Sequence, residues 1–345
     1  MIEIEVPATS ANLGPGFDCL GMALSLSNRI RVEIAEENRV RGCPPEWAGD
    51  DNLFLRSFRH TCGLVGAPVP QLEVELVTDI PPARGLGSSA SLTVGGAAAA
   101  LLLTQAPGAR GALPDELSSS ALTSILHAPA AARVLLRAAT DMEGHPDNAA
   151  PAIAGGFTAA AADGTDIVVS RANLPPLWRY VACIPDFDLE TSVARRALPD
   201  SYARGDVVHA LSHATLMALA FQTADPSLLR RACEDRVHEP YRRRLIPDFD
   251  TVAAACHAQG CDAVWISGSG PTILAAFAAA GSMSGSTPGG SSGTDSANDQ
   301  PTVFDARIHA LSAEIAANAA HHWRVLPLIG DNRGVRARHL PRGAR

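Results

Sequence analysis

The stretch Pro81-Pro82-Ala83-Arg84-Gly85-Leu86-Gly87-Ser88-Ser89-Ala90-Ser91 stands at the mouth of a long apolar run, residues 92–103. It reads as a small-residue loop feeding a buried helix. The start of a helix presents unpaired N–H groups and partial positive charge, so it attracts phosphate. Glycine lets backbone close on an anion, and serine hydroxyls reach phosphate oxygens or a magnesium ion. The loop is not of the Gly-Lys-Ser/Thr kind. All 28 basic residues of the chain are arginine, and there is no lysine. That absence removes lysine-dependent P-loop NTPases, protein kinases with their strand lysine, and pyridoxal-phosphate enzymes. A phosphate binder of this composition must rely on backbone N–H groups, hydroxyls, arginine and metal.

The bulk numbers set the frame. At 345 residues the chain holds two ordinary domains, and 46% hydrophobic with 19% charged residues is globular composition. A net charge of −8 argues against nucleic acid or an anionic membrane as partner. The seven cysteines have no C-x-x-C spacing, which fits free thiols in a reducing cytoplasm. The arginines that end the chain, Arg333, Arg336, Arg338, Arg342 and Arg345, read as a solvated tail.

Periodicity predicts strands at residues 1–6, 28–35 and 71–78, then the glycine loop and its helix, and a helix over 130–142. A change of pattern near residue 165 divides the chain into an N-terminal domain, 1–165, and a C-terminal domain, 166–345. The latter reads as strands at 167–170, 178–184, 263–266 and 323–329, with helices at 206–223, 227–237, 249–259 and 304–321. Residues 105–120 read as a surface excursion and 281–302 as a disordered insertion. Strands and helices without strict alternation point to an α+β fold.

Three further segments carry chemistry. Residues 7–21, with Ala11-Asn12-Leu13-Gly14-Pro15-Gly16-Phe17-Asp18, read as a Gly/Pro loop joining two strands. Asn12 donates and accepts, and Asp18 can hold an ammonium group; the alternative is a structural turn. Glu143-Gly144-His145-Pro146-Asp147-Asn148 offers oxygen ligands from Glu143 (and Asp141 before it), and hydroxyl-orienting groups in Asp147 and Asn148. The alternative there is a solvated helix end with a structural histidine. Ser267-Gly268-Ser269-Gly270-Pro271-Thr272 reads as a second strand, glycine loop and helix junction, or as a tight turn. Either of Arg195 and Arg242 could fork onto a carboxylate.

Together these segments resemble the GHMP kinases. The first string, the glycine loop and the 267–272 string occur in that family's order. Residues 7–26, 143–152, Thr191 to Pro199 and His238 to Arg242 are similar to the branch acting on L-homoserine. The resemblance implies a two-domain fold, the N-terminal half like the second domain of ribosomal protein S5 and the C-terminal half ferredoxin-like. It implies transfer of a phosphoryl group from ATP, with Mg²⁺, to the side-chain hydroxyl of L-homoserine on the way to threonine, in a cytoplasmic homodimer. Residues 81–91 (Pro81, Pro82, Ala83, Arg84, Gly85, Leu86, Gly87, Ser88, Ser89, Ala90, Ser91) would wrap the ATP phosphates. Asn12 and Asp18 would hold the ammonium end of the substrate. Arg195 and Arg242, with Thr191 and His145, would hold its carboxylate. Asn148, with Asp147, would orient the hydroxyl. Ser89 and Glu143 would bind the metal. Many members of that branch carry a magnesium-binding glutamate about two turns before the His-x-Asp-Asn string; here Arg137 stands near that place, and Glu143 or Asp141 would substitute. The alternatives are a GHMP kinase for another small alcohol, or an inactive paralogue that binds a metabolite.

Overall fold

A computed structural model describes residues 1–104, 118–163, 166–279 and 300–340. The expected excursion at 105–120 lies mostly, and the insertion at 281–302 almost wholly, outside the described residues. The chain forms two compact units. One comprises 1–12, 16–173 and 331–345; the other comprises 13–15 and 174–330.

The first unit is built on a seven-stranded sheet. Its centre is a long hairpin, Ile2–Asn12 against Gly16–Ala35. The string read as a Gly/Pro loop is therefore mostly strand, with the reversal confined to residues 13–15. The reason is pairing: Ala8 to Ala11 meet Leu24 to Gly21 in register, which satisfies their backbone groups. Gln71–Thr78 pairs beside the hairpin, with Arg39–Arg41 at its edge. Phe157–Asp163 pairs with residues 20–22, and Asp166–Ala172 pairs with Phe157–Asp163. The strand expected at 167–170 thus belongs to the first sheet, and the division falls at 173/174 instead of near 165. Helices Leu53–Val65, Ser88–Thr104, Ser119–His127, Pro129–Glu143 and Ala149–Ala154 pack into this core. Residues 90 to 103 of the second of these are almost all buried, so the apolar run is a core helix.

The end of the described chain returns to this unit. Arg336–His339 pairs antiparallel with residues 2–5. Arg336 is bound by Glu5 at 2.6 Å and Asp331 at 2.7 Å. Arg338 is bound through Nε by Glu3 at 2.8 Å, and Glu3 also holds Arg31 at 3.0 Å. Arg336 and Arg338 are strand residues with carboxylate partners, which corrects the reading of a solvated tail; Arg342 and Arg345 lie outside the described residues.

The second unit holds a four-stranded antiparallel sheet in the order Trp323–Leu328, Trp178–Pro185, Ile273–Ala278, Ala263–Ile266. Helices Phe249–Ala258 and Gln300–Asn318 pack on it through Val252, Ala255, Cys256, Leu311 and Ile315. Asp248 ties that layer to the last strand, accepting from the Ala320 and His321 amides at 3.0 Å each and from Trp323 Nε1 at 3.1 Å. These bonds bring its carboxyl down to about 2, against the opposing effect of burial. Among the described residues no helix is long and apolar enough to cross a membrane.

Candidate active site

In the first unit the candidate residues gather around one end of the long hairpin. Asn12 and Asp18 both adopt left-handed backbone, φ 69° and 56°, a conformation that Asn and Asp tolerate better than other side chains. Asn12 Oδ1 accepts from the Asp18 amide at 2.9 Å. One ligand atom each of Asp18, His145 and Asp147 lies within 4.8 Å of the others. Burial first, then the charges of Asp147 and Asp18, push the Cys19 thiol up to about 11.

Helix Pro129–Glu143 stops at Gly144, whose φ of 86° turns the chain into His145-Pro146-Asp147-Asn148. Asp147 is buried, 1% exposed. Its Oδ1 meets the His145 ring nitrogen and accepts from the Asn148 amide at 2.8 Å. The Asn148 side chain is fixed from the other side: its Oδ1 accepts from the Thr9 hydroxyl at 2.8 Å. Gly21 makes room for this turn, since a Cβ there would lie 2.0 Å from the Asp147 carbonyl oxygen.

The glycine loop lies against the same strand. Gly85 and Gly87 both have φ 71°, which favours glycine. The Thr9 amide donates to the Leu86 carbonyl at 3.1 Å, and a Cβ on Gly87 would fall 2.0 Å from Thr9 Oγ1. Ser88 opens the helix, so residues 88–91 are its first turn. Fully buried Asn28 clamps both ends of the loop. It accepts from the Ile80 amide at 3.0 Å and donates to Ser91 Oγ at 2.8 Å; Ser91 in turn donates to the Ser88 carbonyl at 2.7 Å.

Ser89 Oγ donates to Glu143 Oε1 at 2.6 Å. Burial pushes the Glu143 carboxyl up, with Ser89 and His145 opposing the rise. A desolvated carboxylate touching a hydroxyl at a helix start is an all-oxygen donor set, and these residues fit a magnesium ion. Asp141 faces other partners, bound by Arg137 Nε at 2.7 Å and lying 3.0 Å from His60 Nε2. Arg137 is thus directed to Asp141, while Glu143 is the carboxylate at Ser89.

In the second unit the 267–272 string is the turn of a hairpin, running from Ala263–Ile266 into Ile273–Ala278. The helix expected after it is a strand, so no helix start stands there. Two candidate residues meet this turn. Arg242, 1% exposed, donates to the Gly268 carbonyl at 3.0 Å. Thr191 Oγ1 lies 3.2 Å from Ser269 Oγ. Arg195 is exposed on the short helix Thr191–Arg196, one turn from Thr191. Asp235 Oδ2 accepts from the His238 and Glu239 amides at 2.7 Å each, and His238 Nε2 contacts the Gly14 carbonyl at 2.8 Å. Burial, aided by Asp235, pushes the Glu239 carboxyl up to about 8 although it accepts from the Ile266 amide at 2.7 Å.

Sequence reasoning did not single out Thr9, Gly21 or Asn28. Thr9 and Gly21 lie inside residues 7–21, and their roles come from partners distant in sequence, Leu86 and Asn148 for Thr9 and Asp147 for Gly21. Asn28 is one polar residue at a buried strand position, and that mismatch was its only signal.

The profile described as "GHMP kinases N terminal domain" matches residues 52–156, and that described as "GHMP kinases C terminal" matches 217–284. A homoserine kinase of Moorella thermoacetica is 39% identical over 278 residues, covering 79% of this chain and 86% of that protein. One from Clostridium botulinum is 36% identical over 275 residues, covering 79% and 85%. The fold is also similar to the crystal structure of homoserine kinase from Cytophaga hutchinsonii, with TM-score 0.73, 24% identity, and 97% of this chain and 96% of that one covered.

Proposed function

The chain belongs to the GHMP kinase family, in its homoserine kinase branch, and on that footing we propose that it transfers the γ-phosphoryl group of ATP to the side-chain hydroxyl of L-homoserine, giving O-phospho-L-homoserine and ADP. The observation that carries the reading is the fixing of Asn148: its side-chain oxygen accepts from Thr9, on the strand that also anchors the glycine loop, and its backbone N–H donates to Asp147.

Such transfer depends mainly on positioning and charge neutralisation. The left-handed glycines and the first turn of helix Ser88–Thr104 aim N–H groups and the Ser88 and Ser89 hydroxyls at the phosphates. Ser89 and Glu143 would hold magnesium, which neutralises phosphate charge. Asn148 orients the acceptor hydroxyl. Asp147 spends Oδ1 on His145 and the Asn148 amide, so its work is to fix those two groups. The bond from the γ-phosphorus to the bridging oxygen breaks, leaving ADP, as the new P–O bond to the substrate oxygen forms, and the hydroxyl proton passes to a phosphoryl oxygen without a strong general base.

The zwitterionic substrate accounts for the remaining polar groups. Asp18, set by Asn12, receives the ammonium group. Arg195 forks onto the carboxylate, with Thr191 and His145 assisting. Arg242 adds positive charge and also holds the 267–272 turn in place through Gly268. We place the enzyme in the cytoplasm as a homodimer. Arg137 does not support an inactive paralogue, because Glu143 supplies a carboxylate at Ser89.

ADP release from purified protein with MgATP tests the reading, comparing L-homoserine with no acceptor, L-serine, mevalonate and galactose. Activity confined to L-homoserine is the expected result. Preference for another alcohol would overturn the assignments of Asp18 and Arg195. Silence with every acceptor, in protein that binds ATP, would overturn the activity.

A further inference from the structure

Helix Arg204–Thr223 of the second unit carries His209 and His213 one turn apart, and Glu234 lies just beyond helix Pro226–Ala232. None of the three has a part in the chemistry proposed above. One ligand atom from each lies within 4.8 Å of the other two. The two imidazoles lie face to face, with centroids 3.6 Å apart and planes at 18°. His209 is 10% exposed in its side chain, and its Nε2 stands 3.1 Å from the Glu234 carbonyl oxygen and 3.9 Å from Glu234 Oε1.

The hydrogen bonds of His213 fix its tautomer. Its Nδ1 lies 2.9 Å from the His209 carbonyl oxygen, which can only accept, so Nδ1 carries the proton and Nε2 the lone pair. A ring N–H donated to a backbone carbonyl is the arrangement that orients metal-ligating histidines and raises their basicity. Ser212 Oγ, 3.2 Å from the same Nδ1 and donating to the same carbonyl at 2.9 Å, adds a second restraint. Two nitrogens on a tetrahedral zinc ion, each bonded at about 2.0–2.1 Å, stand about 3.4 Å apart. The rings now lie nearly parallel and His209 Nε2 donates to the Glu234 carbonyl oxygen, so an ion binds as both rings turn out of the stack and the His209 proton shifts to Nδ1, freeing Nε2. Glu234, whose side chain is 61% exposed, pairs with exposed Arg236 at 3.2 Å and would exchange that surface contact for the ion.

We propose that His209, His213 and Glu234 form a site for one divalent transition-metal ion of the zinc class, with a two-nitrogen, one-oxygen donor set and water completing the shell. Imidazole nitrogens select zinc, nickel or copper over magnesium, so this site is chemically separate from Ser89 and Glu143. A bound ion pins helix Arg204–Thr223 to the segment that begins at Glu234. The next residue, Asp235, organises the His238 and Glu239 amides and so the approach to Arg242.

The test uses the full chain stripped by a chelator, without nucleotide. Calorimetric titration with Zn²⁺ should give one equivalent bound, with a rise in thermal midpoint. His213→Ala and His213→Gln should each weaken binding by more than about tenfold, the loss that even an outer-shell partner can cause. Both should keep the metal-free thermal midpoint and ADP release of the parent protein. With Cu²⁺, electron paramagnetic resonance should resolve coupling to two nitrogens in the parent and one in His213→Gln. The Asp18, His145 and Asp147 group offers one histidine, so a one-nitrogen signal in the parent would overturn the proposal. Absence of Zn²⁺ binding, or binding unchanged by both His213 substitutions, would overturn it as well.

Discussion

Removing the Thr9 hydroxyl should slow phosphoryl transfer without loosening ATP. Thr9 is fully buried, and its side chain donates to Asn148 Oδ1 at 2.8 Å, whereas its amide separately holds the Leu86 carbonyl at 3.1 Å. Thr9→Val deletes the first bond and leaves the second. An acceptor left without its donor in a partly buried place costs about 1–3 kcal/mol. If about 1–2 kcal/mol of that is felt as a misplaced Asn148 amide in the transition state, kcat falls about fivefold to thirtyfold. KM for ATP should stay within about twofold, a limit set by the retained loop bond. Steady-state kinetics in both substrates, with a thermal midpoint for each protein, measures all of this. Valine also sets a methyl where the Thr9 oxygen faces Gly87, a contact with no room to spare. Thr9→Ala therefore serves as the companion, since it deletes the hydroxyl without adding bulk. Equal kcat losses in the two variants are expected. Loss in Thr9→Val alone would make the effect steric and refute the Asn148 argument, as would unchanged kcat in both while Asn148→Ala is inactive.

Three other outcomes follow from the geometry. Asn28→Ala leaves the Ile80 amide and Ser91 Oγ without their buried partner; it should lower stability by about 1–3 kcal/mol in denaturant titration and raise KM for ATP more than KM for homoserine. Arg195→Ala should raise KM for homoserine more than KM for ATP; Arg242→Ala should do the same and also lower the thermal midpoint, since a charged donor is lost from the Gly268 carbonyl, worth about 1.5–3 kcal/mol. The Asp248 carboxyl, ordinarily near 3.8, is brought down to about 2, so it contributes stability that is whole above 3.8 and is lost as pH falls toward 2. Acid unfolding of Asp248→Asn should accordingly be flatter across that window, starting from a lower stability at neutral pH.

The glycine loop and its helix were legible in the sequence because their signal is local. Two glycines and three serines before an apolar run admit few backbone readings, and Gly85, Gly87 and the helix start at Ser88 are where that composition puts them. The clamp was not legible, because Asn28 lies 52 and 63 residues from the groups it binds and nothing near it announces them. The 267–272 string misled for a related reason: a glycine turn before a helix and one before a strand look alike, and the short apolar run 273–278 suits either. The terminal arginines carried a signal of another kind. Arg-x-Arg at 336–338 and Glu-x-Glu at 3–5 have the same two-residue period, and complementary alternation of that sort marks neighbouring strands.

That last pairing governs the order in which the protein can be finished on the ribosome. The edge strand of the first sheet, Arg336–His339, is translated only after the whole of the second unit, yet it covers the backbone of residues 2–5. Until then the nascent chain presents an open strand edge with Ile2 and Ile4 along it, the kind of edge that invites pairing with another chain. At roughly 5–20 residues per second, the 157 residues from 174 to 330 hold that edge open for about 8–30 seconds of synthesis. The first unit begins folding first and closes last, so slow translation of the second half or early truncation falls most heavily on the half already made.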